Sequence, residues 1–233
     1  MFFFDPVHFN PMYWLFIAPA VLLGLWAQFR VRSTYAQAQQ QPASLSGAAA
    51  ARHILDSAGL TGVAIEPVQG FLSDHYDPRT KVLRLSPDVY HNRSMAAVGI
   101  AAHEAGHALQ DAANYAPLII RNAAVPAAGF GSGLGVMLIM LGYIMQFGVL
   151  LLFGIGLFAC VVIFQIVNLP VEFNASSRAK QQLVALGIVP QQEMAHVNRV
   201  LNAAAWTYVA GTLRSILTLL YYVMLFMGGR RDD

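Results

Sequence analysis

Residues 123 to 167 carry no charged side chain. As a single helix rising about 1.5 Å per residue, that run would measure roughly 67 Å, twice the bilayer core of about 30 Å. It therefore reads as two spans, a tight helical hairpin over residues 118–169. The one candidate turn is the polar break at Gln146, beside Gly148. The glycine cluster "GFGSGLG" at 129 to 135 lies inside a span and has no following lysine. Close helix packing through small residues four apart explains it better than a phosphate-binding loop.

Two more apolar stretches flank the hairpin. Residues 12 to 29 form an uncharged run long enough to cross a bilayer, and we assign 1–32 as the first transmembrane segment. A cleaved signal peptide is the competing reading, since "AQA" at 36 to 38 resembles a cleavage site. However, no Lys or Arg precedes the run, and Arg30 and Arg32 follow it. The last stretch, within 203–229, is interrupted by Arg214, which can snorkel toward an inner surface. The expected architecture is an α-helical integral membrane protein of about four spans, multi-pass, with its N-terminus outside. Of the 14 Lys and Arg residues, all but Arg230 and Arg231 then fall on the inner side, and Asp232 and Asp233 balance those two. Only 11% of residues are charged, against about 25% in soluble domains. A net charge of +2 with no basic run argues against a nucleic-acid partner. The lone cysteine, Cys160, lies in an apolar run and reads as a packed small residue.

Between the spans, residues 33–45 read as a polar linker and 46–115 as a small α+β cytoplasmic lobe. "LSGAAAARHILDSAGL" suggests a helix stopped by Gly59, while "GVAIEPV" and "KVLRLS" suggest strands with the turn "YDPRT" before the second. Ser86 with Pro87, and then Ser94, are plausible helix starts. Residues 170–202 are expected to form further cytoplasmic helices, the first opening after Pro170. The hairpin crosses twice, so these residues return to the side that holds the lobe.

"AAHEAGHALQ", residues 101 to 110, contains His103, Glu104 and His107 in the pattern H-E-x-x-H. Four residues apart on a helix, the two imidazoles lie one turn above each other and can share one ion. Glu104 flanks that face, where it can take a proton from water activated by zinc instead of binding the metal. Gly106 leaves room for another backbone. A catalytic zinc site expects a third protein ligand. The chain has four glutamates: Glu66, Glu104, Glu172 and Glu193. Glu172, just after the hairpin's return, is the preferred third ligand, ahead of His196, Glu193, His75 and the aspartates. His8, His53 and His91 read as surface or interface residues.

The blocks "DHYDPRTKVLRLSPDVY", "AAHEAGHALQD", "LPVEFNASSRA" and "VLNAAAWTYVAG" resemble, in order, those of the YugP-type membrane zinc metallopeptidases. The resemblance covers most of residues 46 to 215. It implies a bacterial inner-membrane peptidase of the gluzincin kind, a zincin-like lobe, one Zn2+ per chain and Glu172 as third ligand. "EFNAS" also resembles the E-F-x-A-D ligand helix of related membrane proteases, with Ser176 in place of the aspartate. A carboxylate there would orient a ligating histidine. In this chain Ser176 accepts more weakly, which leaves Asn174, a backbone carbonyl or Asp111 as alternatives for that role.

Proteases of this sort hold an extended substrate against an edge strand, and "KVLRL" at 81 to 85 is the candidate, with an ordinary internal strand as the alternative. Donors for the developing oxyanion would come from His75, Tyr76, Arg199, Asn202 or Tyr208. Together these features point to a membrane zinc metalloendopeptidase that cleaves peptides or membrane proteins at the cytoplasmic bilayer surface, alone or with a second copy or another membrane partner. The rival is a non-catalytic membrane scaffold holding a structural metal. Its weakness is Glu104, a carboxylate that a structural site does not need. A metal transporter is weaker still, because residues 123 to 167 offer no ionisable path.

Overall fold

The computed structural model describes residues 10–228. His8, the outermost ends of the first and last segments, and the charges of Arg230, Arg231, Asp232 and Asp233 lie outside the described residues. The chain is mostly helical. The helices are α1 (Pro11–Gln39), α2 (Gly47–Ser57), α3 (Pro87–His91), α4 (Met95–Ala112), α5 (Ala116–Phe130), α6 (Val136–Ile144), α7 (Gly148–Ala185) and α8 (Met194–Gly228). A π-helical turn, Gly131–Gly135, joins α5 to α6. Three short strands, β1 (Ala64–Pro67), β2 (His75–Asp77) and β3 (Val82–Leu85), complete the fold. Four helices are long and apolar enough to cross a membrane: α1, the α5–α6 pair, α7 and α8.

The chain divides into two compact units. The first comprises, of the described residues, 10–26, 120–169 and 207–228. Within it the expected hairpin turn lies between α6 and α7, with Gln146 at φ 52°. Small residues set its packing. A Cβ on Gly131 would lie 2.3 Å from the Leu157 carbonyl oxygen, and one on Gly142 would lie 2.4 Å from the Leu151 nitrogen. Gly135 and Gly154 face each other in the same seam, so the glycine cluster is a packing surface.

The second unit holds residues 27–119 and 170–206. α4 is its central helix and is buried on nearly every face. Alanine-rich sequence favours the helix, and the Ser94 hydroxyl caps it by accepting the Ala97 N–H at 3.2 Å. Around it pack α2, the sheet and the ends of α7 and α8, through Ile54, Leu55, Leu83, Leu85, Leu183 and Val197.

Three expectations need correcting. Residues 33 to 39 are not linker, because α1 runs on to Gln39. Tyr35 and Ala38 are buried in the core of this unit, and that tertiary contact holds a polar segment helical. No helix opens after Pro170 either; α7 passes through it unbroken. Proline forfeits one backbone hydrogen bond, but Val171, Ala175, Ala179 and Leu183, four apart, are all fully buried and keep the rod in place. Finally, β3 is not an edge. The strand order is β1-β3-β2, with β1 parallel and β2 antiparallel to β3. Both sides of "KVLRL" are paired, so it has no free edge to offer a peptide. The edges are β1 and β2, the latter overlapping the first two residues of the expected turn "YDPRT".

Candidate metal centre

α4 and α7 meet along one seam that can be followed rung by rung. His103 Nδ1 lies 3.1 Å from Ser176 Oγ. A Cβ on Gly106 would lie 2.6 Å from the Ala175 carbonyl oxygen. His107 Nε2 lies 3.6 Å from Glu172 Oε2, and Gln110 Nε2 donates to the Val171 carbonyl at 2.8 Å. As the numbers rise on α4 they fall on α7, so the two helices run antiparallel. Both partners present one face, with steps of three and four residues.

Glu172 Oε2 also lies 3.2 Å from His103 Nε2. One donor atom from each of His103, His107 and Glu172 falls within 4.8 Å of the other two, and the three form the metal-ligand cluster found among the described residues. Adjacent corners of a tetrahedron around an ion about 2.0–2.1 Å away would be roughly 3.3 Å apart. The observed 3.2 and 3.6 Å suit that size.

The hydrogen bonds also prepare the rings. Gln110, fully buried, commits its amide N–H groups to the Val171 carbonyl and to Asn174 Oδ1 at 3.1 Å. Its Oε1 is left to accept from His107 Nδ1 at 3.0 Å, so the proton belongs on Nδ1 and the lone pair on Nε2 faces Glu172. Ser176 Oγ can accept from His103 Nδ1 in the same sense. Burial disfavours a charged His107, but Glu172 and Glu104 favour it and prevail, raising its pKa. Glu172 against both imidazoles, with the charge of Glu104 acting on His107 as well, makes a pocket that attracts a cation.

Glu104 is 9% exposed and accepts no hydrogen bond from any described residue. Its charge reaches Asp74, whose pKa is raised by burial first and by Glu104 in addition, against the hydrogen bonds it receives from Ser86. The Ser86 N–H donates to Asp74 Oδ1 at 2.7 Å and the Ser86 hydroxyl reaches both carboxylate oxygens.

The other candidates are placed elsewhere. Tyr76 donates to Asp111 at 2.7 Å, and burial together with that acceptor holds the phenol well above its usual pKa. Lys81 pairs with the same carboxylate. Asp111 therefore ties β2 to α4 and does not orient a histidine. Asn174 supports Gln110 and accepts from Arg178 at 2.8 Å. His75 is exposed, with Nδ1 2.8 Å from the Ser73 carbonyl. Asn202 accepts from Lys180 at 2.8 Å, and Arg199 and Glu193 are exposed. His196 is half-buried on α8, outside the cluster. Tyr208 is half-buried on α8 in the other unit. Glu66 pairs with Arg84 at 3.5 Å. Sequence reasoning missed Gln110, although it follows His107 by three residues on α4; Asp74, one of the aspartates weighed as a ligand, is instead held by Ser86.

Residues 13–227 match the protein family described as "Putative neutral zinc metallopeptidase". The chain belongs to that family. It is also 47% identical over 227 residues, 95% of this chain and all of the relative, to the "Putative membrane protease YugP" of Bacillus subtilis (strain 168). No solved structure matches it. The family's zinc agrees with the donor chemistry of this member's cluster, two imidazole nitrogens and a carboxylate.

Proposed function

We propose that the protein is a zinc-dependent endopeptidase of the membrane. The observation that carries this reading is the convergence of His103, His107 and Glu172 beside a carboxylate, Glu104, that no described hydrogen bond engages. His103, His107 and Glu172 would hold the ion, and Ser176 and Gln110 would fix the two rings. Bound zinc would act as a Lewis acid, polarising the scissile carbonyl and making water nucleophilic at neutral pH. Glu104 takes a proton from the attacking water as its oxygen bonds the carbonyl carbon. The same carboxylate then passes that proton to the leaving nitrogen as the carbon–nitrogen bond breaks.

The zincin-like character of the lobe belongs to this proposal, supported by an H-E-x-x-H helix tied to a small sheet. With β3 enclosed, β2 is the edge beside α4 to which an extended substrate would add. The lysine and arginine distribution supports an active site on the cytoplasmic side of a bacterial inner membrane. Substrates would be membrane proteins, or tails lying at the bilayer surface. α7 supports this: at roughly 57 Å it exceeds a bilayer core nearly twofold, and Glu172 lies toward its far end.

The first test is elemental analysis of detergent-purified protein beside Glu172→Ala. About one zinc per chain, mostly lost in the variant, is the expected result. Absence of metal after zinc reloading would remove the peptidase reading and leave a membrane scaffold.

A further inference from the structure

The turn between β1 and β2 is built in an unusual way. Residues 67 to 73, "PVQGFLS", carry no charge. Both ends are fixed at the end of β3: Val68 N–H donates to the Leu85 carbonyl at 2.8 Å, and Asp74 is held by Ser86. Ser73 Oγ closes the turn onto the Gly70 carbonyl at 3.1 Å. Phe71 is left 67% exposed at the tip, with Leu72 beside it. Leu72 has φ 52°, a left-handed conformation for which glycine or asparagine is the default turn residue. A branched apolar side chain at such a position strains the backbone, and Leu72 is still left 37% exposed.

The neighbourhood of this tip indicates what covers it. The Phe71 ring meets Tyr35 of α1 edge-on, with centroids 5.6 Å apart. Tyr35 follows Phe29, the 70% exposed last residue of the apolar run, by six residues, or about 9 Å of helix. Arg30 and Arg32, both exposed, lie between. A bilayer's polar layer extends roughly 5–8 Å beyond its hydrocarbon on each side. Tyr35 thus lies at the outer margin of that layer, and the Phe71 ring, 5.6 Å from it, is within reach of the headgroups that suit aromatic side chains.

We propose that the Gly70–Ser73 turn is a membrane-contact element, with Phe71 and Leu72 seated in the headgroup layer of the bilayer that α1 crosses. The occupant is the lipid surface itself. This rests on the reading of α1 as a span and not on the peptidase chemistry. Pinning the turn to lipid fixes the start of β2, one of the two sheet edges, at the height of the membrane surface.

The test places single cysteines in a Cys160→Ser background, labels them with an environment-sensitive fluorophore, and reconstitutes the full chain into phosphatidylethanolamine–phosphatidylglycerol vesicles. Leu72→Cys is the probe, Phe71→Cys its duplicate, Phe29→Cys the lipid reference and Arg79→Cys the aqueous one. The expected result is a blue-shifted emission at 72, mostly lost to headgroup-side nitroxide lipid and indifferent to iodide. If 72 and 71 follow Arg79 and respond to iodide while 29 responds to lipid, the inference falls and the span stands. A label at 29 that is open to iodide removes both. Shielding of 71 and 72 from both quenchers would mean that protein covers the tip, and would also overturn the proposal.

Discussion

Both units of this chain bring helices together through glycine, but they gain different things by it. At Gly131 the close approach to Leu157 joins one apolar helix to another, and the neighbouring side chains carry nothing that needs a partner. At Gly106 a similarly close approach, to Ala175, sits between two rungs that pair polar groups, His103 with Ser176 and His107 with Glu172. In the first unit a loosened contact costs packing alone. In the second it strands buried polar groups, which is more expensive. Where a chain is apolar throughout, small residues supply the specificity. Where it buries polar side chains, hydrogen bonds do.

The sharpest probe of this contrast is Glu104→Gln, which should lower peptidase activity by about 10²–10⁴-fold while zinc content and thermal stability stay at the parental level. A loss of stability would show that the carboxylate is part of the seam and not reserved for chemistry. Next, Gln110→Ala removes the group that holds His107 and satisfies the Val171 carbonyl. Zinc affinity, followed by competition with a chelator, should fall about 10–100-fold. In the apolar unit, Gly131→Val should destabilise the detergent-solubilised protein by about 1–3 kcal/mol. Gly133→Val, whose Cβ would meet nothing within 4 Å, should leave the melting temperature nearly unchanged. Equal effects would break the comparison.

The smallest expected effect lies outside both seams. Asp77 is held to about 2, below the usual carboxylate value, first by the Thr80 hydroxyl and next by the Arg79 N–H, with Arg84 contributing. A carboxyl depressed on folding adds stability at any pH above its unfolded value, and that contribution disappears as pH falls toward 2. Asp77→Asn should therefore lower the melting temperature slightly at neutral pH and flatten the acid limb of the profile between about pH 4 and pH 2, where the two proteins converge.

How much of this was legible in the sequence depended on how far each signal reached. The convergence of His103 with His107 is local, since helical spacing alone stacks them. Glu172 stood out through scarcity and topology, because few glutamates were available and the hairpin returned it to the right side. Gln110 stayed hidden because its role depends on Val171 and Asn174, some sixty positions away. The extension of α1 through Tyr35 and the passage of α7 through Pro170 were equally hidden. In both, burial on a distant partner overrides a local preference. The three-residue strand β2 was too short for a periodic pattern, and its discovery moved "KVLRL" from the rim of the sheet to its middle.

Gly106 leaves one more mark on the molecule. It touches none of the three donor atoms, yet the missing side chain sets how near α4 can lie to α7, and with it the bite between the two Nε2 atoms and the Glu172 oxygen. The pocket has a fixed gauge, cut by a hydrogen where any other residue would place a carbon. Donor atoms 3.2 and 3.6 Å apart suit bonds of about 2.0–2.1 Å, whereas the longer bonds and greater ligand number of calcium call for a wider gauge. The spacing of such a site is written partly in the backbone, at a position that contributes no donor atom.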